Sequence, residues 1–94
     1  MEKGTWTFLS NHGRVFVYLA STPSSTTENI SRDVGLSLRG VQKIISDLEK
    51  SGYVTHQKVG RCNQYTVHPD RPMRHHLEED HAIGEILSVL APPR

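Results

Sequence analysis

Residues 37–52, SLRGVQKIISDLEKSG, run without a break into residues 53–69, YVTHQKVGRCNQYTVHP. The first stretch has a helical period. Val41, Ile44, Ile45 and Leu48 recur at i, i+3, i+4 and i+7 and form a single apolar stripe. At about 100° per residue, Arg39, Lys43, Ser46 and Lys50 gather on the opposite side, with Gln42 on the flank. Ser37 is a natural N-cap for this helix, and Gly52 is placed to end it. The second stretch holds two strand-like runs, YVTHQKV and QYTVH, the latter alternating so that Tyr65 and Val67 share a side. Between them GRCN has the composition of a hairpin turn.

Upstream, Ser25-Thr26-Thr27-Glu28 has the capping-box pattern of a hydroxyl cap with a glutamate three residues on. It opens a helix whose Ile30 and Val34 share a face, and Gly35 stops that helix. Only Leu36 then separates Gly35 from Ser37, so two helices meet in a tight turn. That arrangement, with a basic outer face on the second helix, is the helix-turn-helix signature. Further back, Val15, Phe16, Leu19 and Ala20 predict a helix from about Asn11 to Ala20. The β-branched and aromatic residues from Val15 to Tyr18 would also allow a strand. Trp6 and Phe8 fit either an earlier helical turn or an extended arm. STPSSTTEN, residues 21–29, reads as a loop. Downstream, Pro69 and Pro72 break the sheet. A last helix is predicted from about Leu77 to Leu90, with Ile83, Ile86, Leu87 and Leu90 as its stripe.

The sum is one domain over residues 1–94, α+β but mostly α, with its core in about residues 11–68. It is a winged helix-turn-helix with a two-stranded wing and an extra C-terminal helix at about 77–90. At 94 residues and 35% hydrophobic content the chain has no room for a second domain. No apolar run reaches the roughly 18 residues needed to span a bilayer, so no membrane partner is expected. The N-terminus lacks the pattern of a secretory signal, and the one cysteine, Cys62, cannot form an internal disulfide. Both favour a reducing cytoplasm.

The net charge is only +1, but its distribution is uneven. From Ser37 to Gln64, five basic residues (Arg39, Lys43, Lys50, Lys58, Arg61) face two acids (Asp47, Glu49), giving +3. From Leu77 to Arg94, one arginine faces Glu78, Glu79, Asp80 and Glu85, giving −3. A basic middle and an acidic end can present one positive face to phosphate. No nucleophile–base constellation, phosphate-cradling glycine loop or carboxylate pair stands out, so an enzyme is not expected, and no cofactor is implied.

The segment NISRDVGLSLRGVQKIISDLEKSGYVTHQKVGRCNQYTV resembles the winged helix-turn-helix core of the MarR-like and ArsR-like bacterial transcription regulators. The likeness spans about residues 26–67, and LEKSGYV followed by GRCNQY matches the usual link from recognition helix to wing. The flanks resemble a short, stand-alone prokaryotic form. Full MarR proteins are longer and have more dimerising helices, so their dimer arrangement does not carry over.

The resemblance implies a homodimer on double-stranded DNA, with recognition helix 37–51 in the major groove and wing 58–64 at the flanking groove. Arg39 would read guanine and Gln42 adenine, while Lys43 would meet a base edge or a phosphate. Ser37, Ser46, Thr26 and Thr27 would lie along the DNA, Ser37 at a helix N-terminus suited to phosphate. Arg61 would enter a minor groove, with Lys58, Asn63 and Gln64 on the backbone. Apart from the resemblance, Trp6, Phe8, Ile83, Ile86, Leu87 and Leu90 would join two copies, since the C-terminal stripe needs a partner beyond one small core. The same residues also fit the ordinary polar face of a surface helix, and a winged helix can instead be a protein-interaction module without DNA. Metal sensing occurs among ArsR-like proteins, and His81 with Glu85 at i+4 could share an ion across a dimer. However, His76 and His81 fall on different helix faces, and no cysteine lies near. Cys62 beside Arg61 is a candidate redox switch. The residues identify no small-molecule effector.

Overall fold

The structure is a computed structural model that describes residues 6–90. Its elements are α1 (Asn11–Ser21), β1 (Ser24–Ser25), α2 (Thr27–Val34), α3 (Leu38–Lys50), β2 (Val54–Val59), β3 (Cys62–Val67), a 3-10 turn (Ile83–Ile86) and α4 (Leu87–Leu90). The three predicted N-terminal helices and the hairpin are all present, and Val15–Tyr18 is helix rather than strand. Ser10 caps α1 by accepting a hydrogen bond from the Gly13 N–H at 3.1 Å. Ser37 caps α3 in the same way, accepting from Gly40 at 3.0 Å. Gly35 ends α2 with φ +78°, the left-handed conformation that side chains disfavour.

The apolar stripes meet at one core. Val15, Phe16 and Leu19 of α1 pack with Ile30 and Val34 of α2 and with Val41, Ile44, Ile45 and Leu48 of α3. Tyr53, Val54 and Tyr65 close it from the sheet. Removing these side chains from water is the main stabilising contribution, at about 25 cal/mol per Å² of apolar surface buried.

Three expectations need correction. The stretch over residues 21–29 is not all loop: Ser24–Ser25 forms a third strand, and the antiparallel sheet runs β1-β3-β2. Ser25 pairs with Asn63 and is itself buried, its hydroxyl donating to the Thr22 carbonyl at 2.7 Å. The α2 cap therefore falls one residue later than the capping-box pattern places it. Thr26 accepts from the Asn29 N–H at 3.1 Å.

Cys62 and Asn63 also belong to β3 rather than to the turn. The hairpin register pairs Val54 with Val67 and Val59 with Cys62, leaving a two-residue turn, Gly60-Arg61. Gly60 has φ +63° at the first turn position, where a two-residue hairpin loop of the II′ kind needs glycine.

The third correction is the largest. Residues 77–82 are not helical, and among the described residues helix near the C-terminus is confined to Ile83–Leu90. Residues 69–84 instead form an arch. Met73 N–H bonds to the His81 carbonyl (3.0 Å), Ile83 N–H to Arg71 (2.7 Å) and Gly84 N–H to Pro69 (2.8 Å). These long-range partners outcompete the i→i+4 pattern that the local sequence suggests. No helix among the described residues is long and apolar enough to cross a membrane.

Candidate nucleic-acid interface

Burying Val41, Ile44, Ile45 and Leu48 fixes the rotation of α3, and its opposite face is left in solvent. Arg39, Gln42, Lys43 and Lys50 are exposed there and Ser46 is half-buried. Arg39 and Gln42 make no side-chain hydrogen bond among the described residues. Lys43 does: its Nζ donates to both oxygens of Asp47, at 3.0 and 3.1 Å. Asp47 also meets His12 of α1, whose Nε2 lies 2.9 Å from Oδ2. These bonds, that from His12 foremost, hold the Asp47 carboxyl below the usual carboxylate range.

The predicted site residues divide by what they already hold. Ser37 and Thr26 use their hydroxyls as caps, and Thr27 is the first residue of α2. Each can still meet a phosphate through its helix N-terminus, where the free N–H groups point outward. On the wing, Lys58, Arg61 and Gln64 are exposed, with Arg61 at the tip. Asn63 is half-buried and its amide donates to the Tyr65 hydroxyl at 3.2 Å, so it supports the inner face of the sheet. From Thr55 to Arg61 every residue is exposed, so the ribbon stands clear of the body.

The six residues assigned to dimerisation also separate. Trp6 and Phe8 are 68% and 94% exposed and form an edge-to-face pair with ring centres 5.1 Å apart. Leu90 is 47% exposed and Ile86 is half-buried. Ile83 and Leu87 are half-buried and pack in part against the chain's own core. Between α1, the end of α3 and the C-terminal arch lies an open cleft of about 620 Å³, floored by Phe16, Leu48, Tyr53, Met73 and Ile83.

His81 and Glu85 do meet, at 2.9 Å, and that bond holds the Glu85 carboxyl down. No group of three or more metal-ligating side chains occurs among the described residues. Cys62 is a half-buried free thiol at the start of β3.

Sequence reasoning missed the histidine contacts of α3. His12 bonds to Asp47, 35 positions away, and His56 of β2 bonds to Glu49. No local pattern announces the first of these. The second spans only seven positions but crosses the helix-to-strand turn.

A three-helix body, a capped helix with one free basic face and a protruding hairpin define a winged helix-turn-helix domain. The chain matches the family model described as "Sugar-specific transcriptional regulator TrmB" over residues 8–72, and it belongs to that family. The fold also resembles that of ZitR from Lactococcus lactis, a zinc-responsive MarR family member (TM-score 0.53, 16% identity, covering 70% of this chain and 47% of that one). Wild-type ZitR in complex with DNA gives TM-score 0.54, with 16% identity over 70% of this chain and 47% of that chain. This chain thus spans about half the length of the ZitR chains it matches. No curated protein sequence matches it. The resemblance to MarR-like regulators therefore holds for the fold, and TrmB is the family.

Proposed function

We propose that this chain is a sequence-specific regulator that binds duplex DNA as a homodimer. The observation that carries the reading is the solvent face of α3, where Arg39 and Gln42 lie free and exposed on a helix whose other side is locked into the core. A guanidinium there suits the O6 and N7 of guanine, and an amide suits adenine. Lys58, Arg61 and Gln64 extend the contact through the wing to a neighbouring groove. The DNA complex of the similarly folded ZitR supports this use of the architecture.

Two copies would join through Trp6, Phe8, Ile83, Ile86, Leu87 and Leu90, exposed or half-buried apolar groups at the two ends of the described chain. Two α3 helices would then read half-sites about 10–10.5 base pairs apart, or a multiple of that.

The test is selection from random duplexes, followed by affinity measurements across salt concentrations, with the mass measured by light scattering. The reading expects a dimer and log affinity falling linearly with log salt, by about 0.9 for each phosphate neutralised. Failure to retain any duplex at low salt would contradict it and leave the winged helix as a protein-interaction module.

A further inference from the structure

We propose that His12 and His56 are positioning residues for the DNA-facing helix, and that through them DNA binding is coupled to proton uptake. The inference rests on the DNA-binding reading above.

It starts from the two acids in the basic middle of the chain. Asp47 and Glu49 are the only carboxylates between Ser37 and Gln64. At about 100° per residue they fall about 80° to either side of Arg39, so they border the basic face of α3 on both flanks. A carboxylate there repels an approaching phosphate. Each is held by a histidine from a different neighbouring element, Asp47 by His12 of α1 and Glu49 by His56 of β2.

A neutral imidazole donates one N–H and leaves the carboxylate its full charge. An imidazolium cancels that charge. Two protonations would remove the negative border: that of His56 takes the segment from +3 to +4, and that of His12 adds one more positive charge beside it from α1. On the Asp47 side there is a second consequence. Asp47 binds Lys43 through both oxygens, and an imidazolium at His12 competes for the same charge, loosening Lys43 for DNA. The four paired side chains are 28–47% exposed, so protons reach them from solvent. Histidine is the side chain that ordinarily changes charge between about pH 5 and 8.

Other groups face the pairs. Arg74, His75 and Glu78 of the C-terminal arch line the same cleft as His12 and Asp47. The Tyr65 ring of β3 lies 5.9 Å from that of His56. The test therefore reads differences between variants.

Affinity for a duplex recovered by selection is measured at pH 8 and pH 6 in fixed salt near 0.15 M. Three proteins are compared: the parent, His12→Gln/His56→Gln and Asp47→Asn/Glu49→Gln. Glutamine keeps an N–H for each carboxylate, and thermal melts confirm that all three fold. The parent is expected to tighten at pH 6 by about fivefold for one cation gained and about thirtyfold for both, with a steeper salt dependence. The histidine double variant should lose most of that tightening. The carboxylate double variant should bind at pH 8 as the parent does at pH 6. A duplex bound with the same pH response by all three proteins would overturn the proton coupling and leave DNA binding intact. No duplex bound at either pH would overturn both.

Discussion

Thr26 and Ser25 show how one residue of register changes the chemistry of a helix start. Both are hydroxyl residues, and the glutamate at 28 made Ser25 look like the cap. The Thr26 hydroxyl accepts from Asn29 instead, because Ser25 is drawn into the sheet and turns its hydroxyl onto Thr22. Thr26→Ala should therefore cost about 1 kcal/mol in a urea titration, and Thr26→Ser should recover most of it. If Thr26→Ala melts like the parent, the cap is misassigned. Gly84 is a second case of a residue set by a distant neighbour. A Cβ there would lie 2.4 Å from the Cβ of Pro69 and 2.8 Å from its carbonyl oxygen. Gly84→Ala should destabilise the fold by about 1–3 kcal/mol through overpacking, measured by the same titration.

The elements were legible in proportion to how local their causes are. The stripe of α3, its Ser37 cap and the Gly35 stop are all written within a few residues, and each is found as expected. The strand Ser24–Ser25 was not legible, since it exists only because β3 comes to pair with it. The C-terminal helix was half legible. Its stripe from Ile83 to Leu90 has a helical period, but Glu78 and His81 lie in turns set by the arch back to residues 69–73. Among the candidate site residues, the exposure of Arg39 and Gln42 was legible because an exposed helix face is the complement of a buried one, and that of Arg61 because it sits in a turn. The tie between Lys43 and Asp47 follows i+4 spacing but was not drawn from the sequence, and the contact with His12 has no local pattern at all.

The contact between α1 and α2 gives a pH prediction at this scale. The Tyr18 hydroxyl donates to Asp33 at 2.5 Å, which raises the Tyr18 pKa above its ordinary value and lowers that of Asp33. The depressed carboxyl adds stability above its unfolded value of 3.8, lost as pH falls through the lower folded value. The raised phenol adds stability below 10.0, lost as pH rises through the higher folded value. Tyr18→Phe should therefore lower the melting temperature between those limits, with the two curves converging in acid and in alkali. Parallel curves across the whole range would show that the bond contributes nothing.

For the whole molecule, one core fixes everything outside it. Three helices turn their apolar stripes inward, so the side of α3 that carries Arg39 must face out, and the ribbon from Val54 to Val67 must leave the body beside the end of that helix. The acidic residues after Leu77 lie in the C-terminal arch and its 3-10 turn, and Glu78 lines the same cleft as Asp47 of α3. The family is one of transcriptional regulators, and under the proposed function the free face of α3 makes the DNA contact. The most direct measurement is the affinity of Arg39→Ala for a selected duplex, beside its thermal melt. The account predicts a loss of about tenfold or more, as expected for a bidentate guanine contact of roughly 1–3 kcal/mol, with an unchanged melt. Parent-like affinity in a folded Arg39→Ala protein would contradict it.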